Sequence, residues 1–338
     1  MDRRQRDSIF TITAIMYQPP DMSRWTGRVD RPKAIDTQRW HMVMQPLDLS
    51  DDVPPAKTGA TCYVLLGFCC DEGVRRNLGR TGARDAPSAI RKALCNLAFH
   101  WDNVLLFDAG DVICSGQKME AAQAMLGGKV YQLLTAGYKP LVLGGGHEVA
   151  FGTFLGVHPF TAAGGHTLGI VNLDSHFDLR RYEEEGNSGT PFLQMSEVLQ
   201  KESKPFHYLV LGIEESANHG ALFHTARELG VVWKTRNDPV EARLAAVDDF
   251  ISRVDSVYLS LDLDVINQAY APGVSAPTPF GWTPAEVLEI FLQVIRSGKV
   301  ACMDIAELNP TFDVDNHTAR LAAGFVYEAV RGSVIGYP

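Results

Sequence analysis

From residue 61 onward, short apolar runs of strand length alternate with longer segments in which apolar residues return every three or four positions. Runs at 62–68, 104–107, 141–143, 168–173, 208–212, 257–263 and 300–305 predict strands, and most of their positions are apolar rather than every second one. Strands of that kind are buried on both faces. Between them lie predicted helices at 86–99, 119–134, 217–229, 239–254, 284–296 and 318–330, with another beginning near Glu148. Pro87 stands at the start of the first, where Ile90, Ala93, Leu94 and Leu97 draw one face; Ala122, Leu126, Val130 and Leu133 draw the face of the second. The alternation predicts an α/β fold, a three-layer αβα sandwich with helices covering both faces of a central parallel sheet.

No Gly/Ser linker and no internal repeat interrupts residues 61–338, which read as a single domain. Residues 1–60 are rich in Pro and Asp and have little periodicity, so they predict an irregular N-terminal arm. Within the arm, Arg3, Arg4 and Arg6 precede the apolar run 9–17, a faint likeness to a secretion signal. Asp2 and Asp7 dilute that charge, threonines break the run and no small-residue cleavage site follows, so it is read as part of the mature chain.

Composition narrows the partners. A net charge of −9 argues against a nucleic acid or an anionic membrane bound through bulk charge, so an anionic ligand must meet a local cluster of arginines. The six cysteines have neither CxxC nor zinc-finger spacing, which predicts reduced thiols and a cytosolic setting. No apolar run is long enough to span a bilayer.

The candidate chemistry gathers at predicted strand ends, where parallel α/β sheets bind their ligands. Strand 168–173 runs into Asp174-Ser175-His176-Phe177-Asp178. Read as extended chain, this puts Asp174, His176 and Asp178 on one face. Asp262 and Asp264 form a second such pair at the end of strand 257–263. His147 follows three glycines that let the backbone come close, and the lack of a following Lys-Ser/Thr weakens any phosphate-loop reading. Alone, each of these would be a solvated or packed strand end. Together they are two imidazoles and four carboxylates, more than one cation needs, and two divalent ions sharing carboxylates absorb all six. The oxygen-rich, sulfur-free donor set suits Mn²⁺ better than Zn²⁺. Such a pair lowers the pKa of water between them, and the predicted chemistry is metal-assisted hydrolysis. Glu307, at a fourth strand end, is a carboxylate free to bind a cationic amidine.

Four motifs carry a resemblance to a known family: Gly144–Glu148 (GGGHE), Asp174–Asp178 (DSHFD), Ser260–Val265 (SLDLDV) and Asp304–Pro310 (DIAELNP). In this order they resemble the arginase-type ureohydrolases over about residues 60–335. The resemblance implies an arginase-like catalytic domain with two Mn²⁺ per subunit and a homo-oligomer. It implies that His147, Asp174, Asp178 and Asp262 hold one ion and that Asp174, His176, Asp262 and Asp264 hold the other. Glu307 would bind the amidine or guanidine.

Within the family, the stretches 25–30, 67–77 and 186–192 resemble formimidoylglutamases. The implied substrate is N-formimidoyl-L-glutamate, a small anionic amidine of histidine degradation. Arg180 lies two residues beyond Asp178, where arginases have an asparagine that contacts the substrate carboxylate, and arginine suits a more anionic substrate. Arg75 and Arg76, in a basic loop with Arg80 and Arg84, are candidates for a second carboxylate clamp, and Arg28 is a further one. Ser188 stands near the place of the proton-shuttling histidine of arginases, which leaves Asp178 to relay the proton, with Asn187 and Ser188 as substrate hydrogen-bonders. The alternatives are a guanidino hydrolase (guanidinobutyrase, agmatinase or arginase-like), a non-catalytic assembly protein of the same fold, and single-zinc deacetylase-like chemistry.

Overall fold

The computed structural model describes residues 16–31 and 37–334. The segment with Arg3, Arg4 and Arg6, and most of the apolar run after it, lies outside the described residues. Among the described residues ten strands form one sheet: β1 Tyr17–Gln18, β2 Met44–Pro46, β3 Thr61–Cys69, β4 Val104–Ile113, β5 Lys139–Leu143, β6 Leu168–Leu173, β7 His207–Ile213, β8 Val232–Thr235, β9 Ser256–Asp262 and β10 Val300–Ala306. The order is β1-β4-β3-β5-β10-β9-β6-β7-β8, with β2 beside β4. Every pairing is parallel except β1 with β4, so the sheet is mixed at one edge rather than wholly parallel. That antiparallel strand comes from the arm, whose Pro and Asp residues hid it from a reading by periodicity.

Although the central strands are apolar almost throughout, successive side chains still part to opposite faces. Val171, Leu173, Leu259, Leu261 and Ile305 enter one core, while Ile170, Val210, Tyr258 and Cys302 enter the other. Helices Ala86–Leu94, Val240–Ser252, Pro284–Arg296 and His317–Ser333 cover the first face. Helices Met119–Thr135, Val149–Ala163, Pro191–Lys201 and Gly220–Glu228 cover the second. The chain therefore forms the expected three layers. Helix Pro191–Lys201 and strand β8 were not predicted: the helix follows a loop of Gly, Asn, Ser and Thr, and β8 is short and only half-buried.

Besides the pairing of β1 and β2 with β4, a buried ion cluster fastens the arm to the domain. Arg91, 1% exposed, reaches Asp108 Oδ1 at 2.9 Å and Asp111 Oδ1 at 2.6 Å. The remaining carboxylate oxygens accept from Trp25 Nε1 at 2.7 Å and Arg24 Nη1 at 3.0 Å. Two buried acids are thus paired on both sides, which is what makes their burial tolerable. Among the described residues, no helix is long and apolar enough to cross a membrane.

Candidate metal centre and substrate cleft

The four motif-bearing strands are neighbours, in the order β5-β10-β9-β6 at the middle of the sheet. All run the same way, so His147, Glu307, Asp262 and Asp174 leave one edge side by side. At the end of β5 the glycines are needed: a Cβ on Gly145 would sit 1.7 Å from the Cys70 carbonyl oxygen. Past β6 the chain is not extended. Residues 174–178 bend, and Asp178 turns back with φ of 49°, a left-handed conformation that an L side chain adopts at a cost. Asp174, His176 and Asp178 converge through this turn rather than through strand alternation, correcting the reason expected from sequence.

The donors crowd. His147 Nδ1 lies 3.1 Å from Asp174 Oδ2, 2.9 Å from Asp178 Oδ2 and 3.0 Å from Asp262 Oδ2. His176 Nδ1 lies 3.0 Å from Asp264 Oδ2 and 3.5 Å from Asp174 Oδ1. Two donor groups result, His147–Asp174–Asp178 and Asp174–His176–Asp264, and they share Asp174. The outward oxygens are held in place: Asp174 Oδ1 accepts from the His176 N–H at 2.6 Å, Asp262 Oδ1 from the Asp264 N–H at 2.8 Å, and Asp264 Oδ1 from Ser175 Oγ at 2.7 Å.

A relay behind His147 decides what its ring offers. Nε2 lies 2.9 Å from Ser260 Oγ, which donates its only proton to Asp304 Oδ1 at 2.6 Å; Tyr258 donates to the other oxygen of Asp304. The hydrogen-bond network therefore assigns the imidazole proton to Nε2 and leaves the Nδ1 lone pair facing three carboxylates. Nδ1 is buried and has no geometrically sound hydrogen-bond partner. A lone pair aimed at three anions is repulsive unless a cation lies between them. Donors around an octahedral ion with bonds of about 2.1 Å stand about 3.0 Å apart, and the observed spacings match. The residues fit a pair of divalent cations.

The protonation chemistry agrees. Burial, then the charges of Asp264 and Asp174, push the Asp262 carboxyl well above its ordinary range; burial and Asp174 raise Asp178. Burial opposes charging His147, but Asp174, Asp178 and Asp262 outweigh it and hold its pKa well above the usual imidazole value. Without cations the cluster holds protons in their place.

Above the donors is a cleft of about 200 Å³, lined among others by Asn77, His176, Asp178, Arg180, Ser188 and Glu307. Glu307 Oε1 accepts the His147 N–H at 2.7 Å, while Oε2 has no partner of good geometry among the described residues, with the Ser275 hydroxyl close to the carboxylate. Burial pushes the Glu307 carboxyl up to about 7. Arg180 is half-buried at the cleft, and no described residue forms an ion pair or hydrogen bond with its guanidinium.

Other candidates are placed elsewhere. Arg75 binds Glu72 at 2.6 Å, and Arg76 is spent on Glu72, Glu120 and the Gly186 carbonyl; neither lines the cleft. Arg80 caps the carbonyls of Val274 and Ser275. Arg28 is exposed and pairs with Asp30. Asn187 builds its own turn, its Oδ1 accepting from the Gly189 N–H at 2.9 Å, whereas Ser188 faces the cleft and lies 3.1 Å from Asn77 Nδ2. The sequence reading passed over Ser260, Asn172 and Asp304. Ser260 and Asn172 each precede a candidate metal-ligating aspartate by two residues, and Asn172 Nδ2 donates to Asp174 Oδ2 at 2.9 Å. Same-face spacing on a strand was the signal for both.

A sequence model of the Arginase family matches residues 62–331. The formimidoylglutamase of Chromobacterium violaceum is 43% identical over 92% of this chain and 98% of its own length. That of Aeromonas hydrophila is 44% identical over 93% of this chain and 99% of its own length. Among solved structures, Trypanosoma cruzi formiminoglutamase with Mn²⁺ superposes with a TM-score of 0.74 at 26% identity, covering 88% of this chain and 98% of that one. Bacillus subtilis formimidoylglutamase gives 0.76 at 24% identity over 91% of this chain and 94% of that one, a likeness of fold.

Proposed function

The chain belongs to the arginase family, and on that premise we propose that it hydrolyses N-formimidoyl-L-glutamate to L-glutamate and formamide. It is a hydrolase of the amidine and guanidino class, and His147, Asp174, His176, Asp178, Asp262 and Asp264 would hold its two Mn²⁺. When bound, the two ions would supply a water of lowered pKa and offset developing negative charge. The protein's residues do the rest. Arg180 binds a substrate carboxylate through its fork of donors, and Glu307 Oε2 accepts from the amidine nitrogen and fixes the formimidoyl carbon over the centre. Asn77 and Ser188 hydrogen-bond the body of the substrate. Asp178, through the oxygen turned away from His147, passes a proton to the departing glutamate nitrogen. Water adds to the formimidoyl carbon, the C–N bond to glutamate breaks, and the nitrogen leaves as an amine.

The observation that carries the anionic substrate is Arg180: a cation at the cleft of an acidic protein, without an acidic partner among the described residues. Agmatine carries no carboxylate to meet it. Product analysis with formimidoylglutamate, 4-guanidinobutyrate, agmatine and arginine tests the reading. Formamide release must dominate, and urea from a guanidino substrate as the main product defeats it. We place the enzyme in the cytosol, which its free cysteines suit. We also propose a homo-oligomer, which the light-scattering mass of the purified chain checks.

A further inference from the structure

At the edge of the sheet opposite the metal centre, the first residues of β5 and β10 open onto a cavity of about 350 Å³. Tyr63 and Lys139 are register partners on the parallel neighbours β3 and β5, so their side chains project side by side into it. The Tyr63 hydroxyl, in a residue only 3% exposed, has no hydrogen-bond partner of good geometry among the described residues, though the Ser333 hydroxyl, which donates to the Ala329 carbonyl, lies beside it. Lys139 is half-buried and makes no ion pair or hydrogen bond with any described residue, and desolvation lowers its pKa. Arg296, exposed at the end of its helix, borders the same cavity and has no carboxylate partner among the described residues. None of the described residues that line it is acidic, in a chain of net charge −9. The rest of the wall is mostly aliphatic, with Leu141, Ile295 and Val300 among its residues.

We propose that this cavity is a second ligand site, for a small organic carboxylate with a short apolar chain. A half-buried ammonium loses hydration and is stabilised by an anion that restores it. The Tyr63 hydroxyl beside it supplies a neutral donor to the same head group. Two helices, Pro284–Arg296 and His317–Ser333, end at the rim, and each C-terminus contributes roughly half a negative charge. Lys139 and Arg296 bring positive charge that opposes those two helix ends. The aliphatic wall excludes a bare inorganic anion as the best fit and selects a ligand with a carbon tail. The site shares no lining residue with the catalytic cleft.

Calorimetric titration of hexanoate into the Mn²⁺-loaded full chain tests this, with hexanol as the uncharged control. The expected result is one saturable site at millimolar hexanoate or tighter, with no comparable binding of hexanol. Lys139→Met should weaken hexanoate about tenfold or more while leaving turnover unchanged, and Arg180→Ala, in the cleft, should leave hexanoate binding as it was. Should Lys139→Met fold poorly, Tyr63→Phe and Arg296→Gln provide the same reading with smaller losses. Absence of saturable binding, equal binding of hexanol, indifference to the cavity variants, or loss in Arg180→Ala would each overturn the proposal.

Discussion

His147 Nε2 lies 2.9 Å from Ser260 Oγ, and that contact determines which ring nitrogen faces the aspartates. Ser260 can accept there only because its own proton goes to Asp304. Replacing Ser260 by Ala removes the acceptor and frees the ring to flip or change tautomer. We expect Mn²⁺ affinity to fall roughly 10- to 100-fold with the fold intact, as for other partners of metal-ligating histidines. Metal titration followed by circular dichroism checks both halves, and wild-type affinity in Ser260→Ala would show that the relay does not orient the ligand.

Arg180→Ala removes the cation at the cleft without touching a metal donor. The KM for formimidoylglutamate should rise about 10- to 100-fold, the range of a charge-assisted hydrogen bond lost to solvent. Both ions should remain by elemental analysis. An unchanged KM would take Arg180 out of the substrate site.

Metal loading should depend on pH in a known sense. Burial and like charge raise Asp262 and Asp178, and the surrounding aspartates raise His147 despite its burial, so the cation-free cluster carries protons near neutrality. Cations must expel them, so affinity is greatest above those folded-state values and falls as pH drops through them. Calorimetry of Mn²⁺ binding in two buffers of different ionisation enthalpy counts the protons released. A count of zero at pH 7 would contradict the assignment.

The arm's anchor has its own test. Arg91→Met strips the buried partner from Asp108 and Asp111 and leaves two desolvated carboxylates short of compensation. A loss of about 3–5 kcal/mol is expected for breaking such a pair from one side. Chemical denaturation measures it, and a change below about 1 kcal/mol, the worth of an exposed pair, would mean that the cluster is solvated.

Much of this was written into the sequence, for a definite reason. Strand and helix periods are local, so the apolar runs showed where each strand ends, and the candidate site residues Asp174, Asp262, His147 and Glu307 sit at those ends. What the sequence could not set was the neighbourhood. Only the strand order β5-β10-β9-β6 makes the four ends adjacent, and that order comes from long-range pairing. The fate of the arginines was equally non-local. Arg76 finds Glu120 forty-four positions away and is lost to the cleft, whereas Arg180 meets no acid among the described residues and stays available. The left-handed turn at Asp178 belongs to the same class, a cost the chain bears because the folded site holds it there. Residue type and period told which groups can do chemistry; packing decided which were already taken.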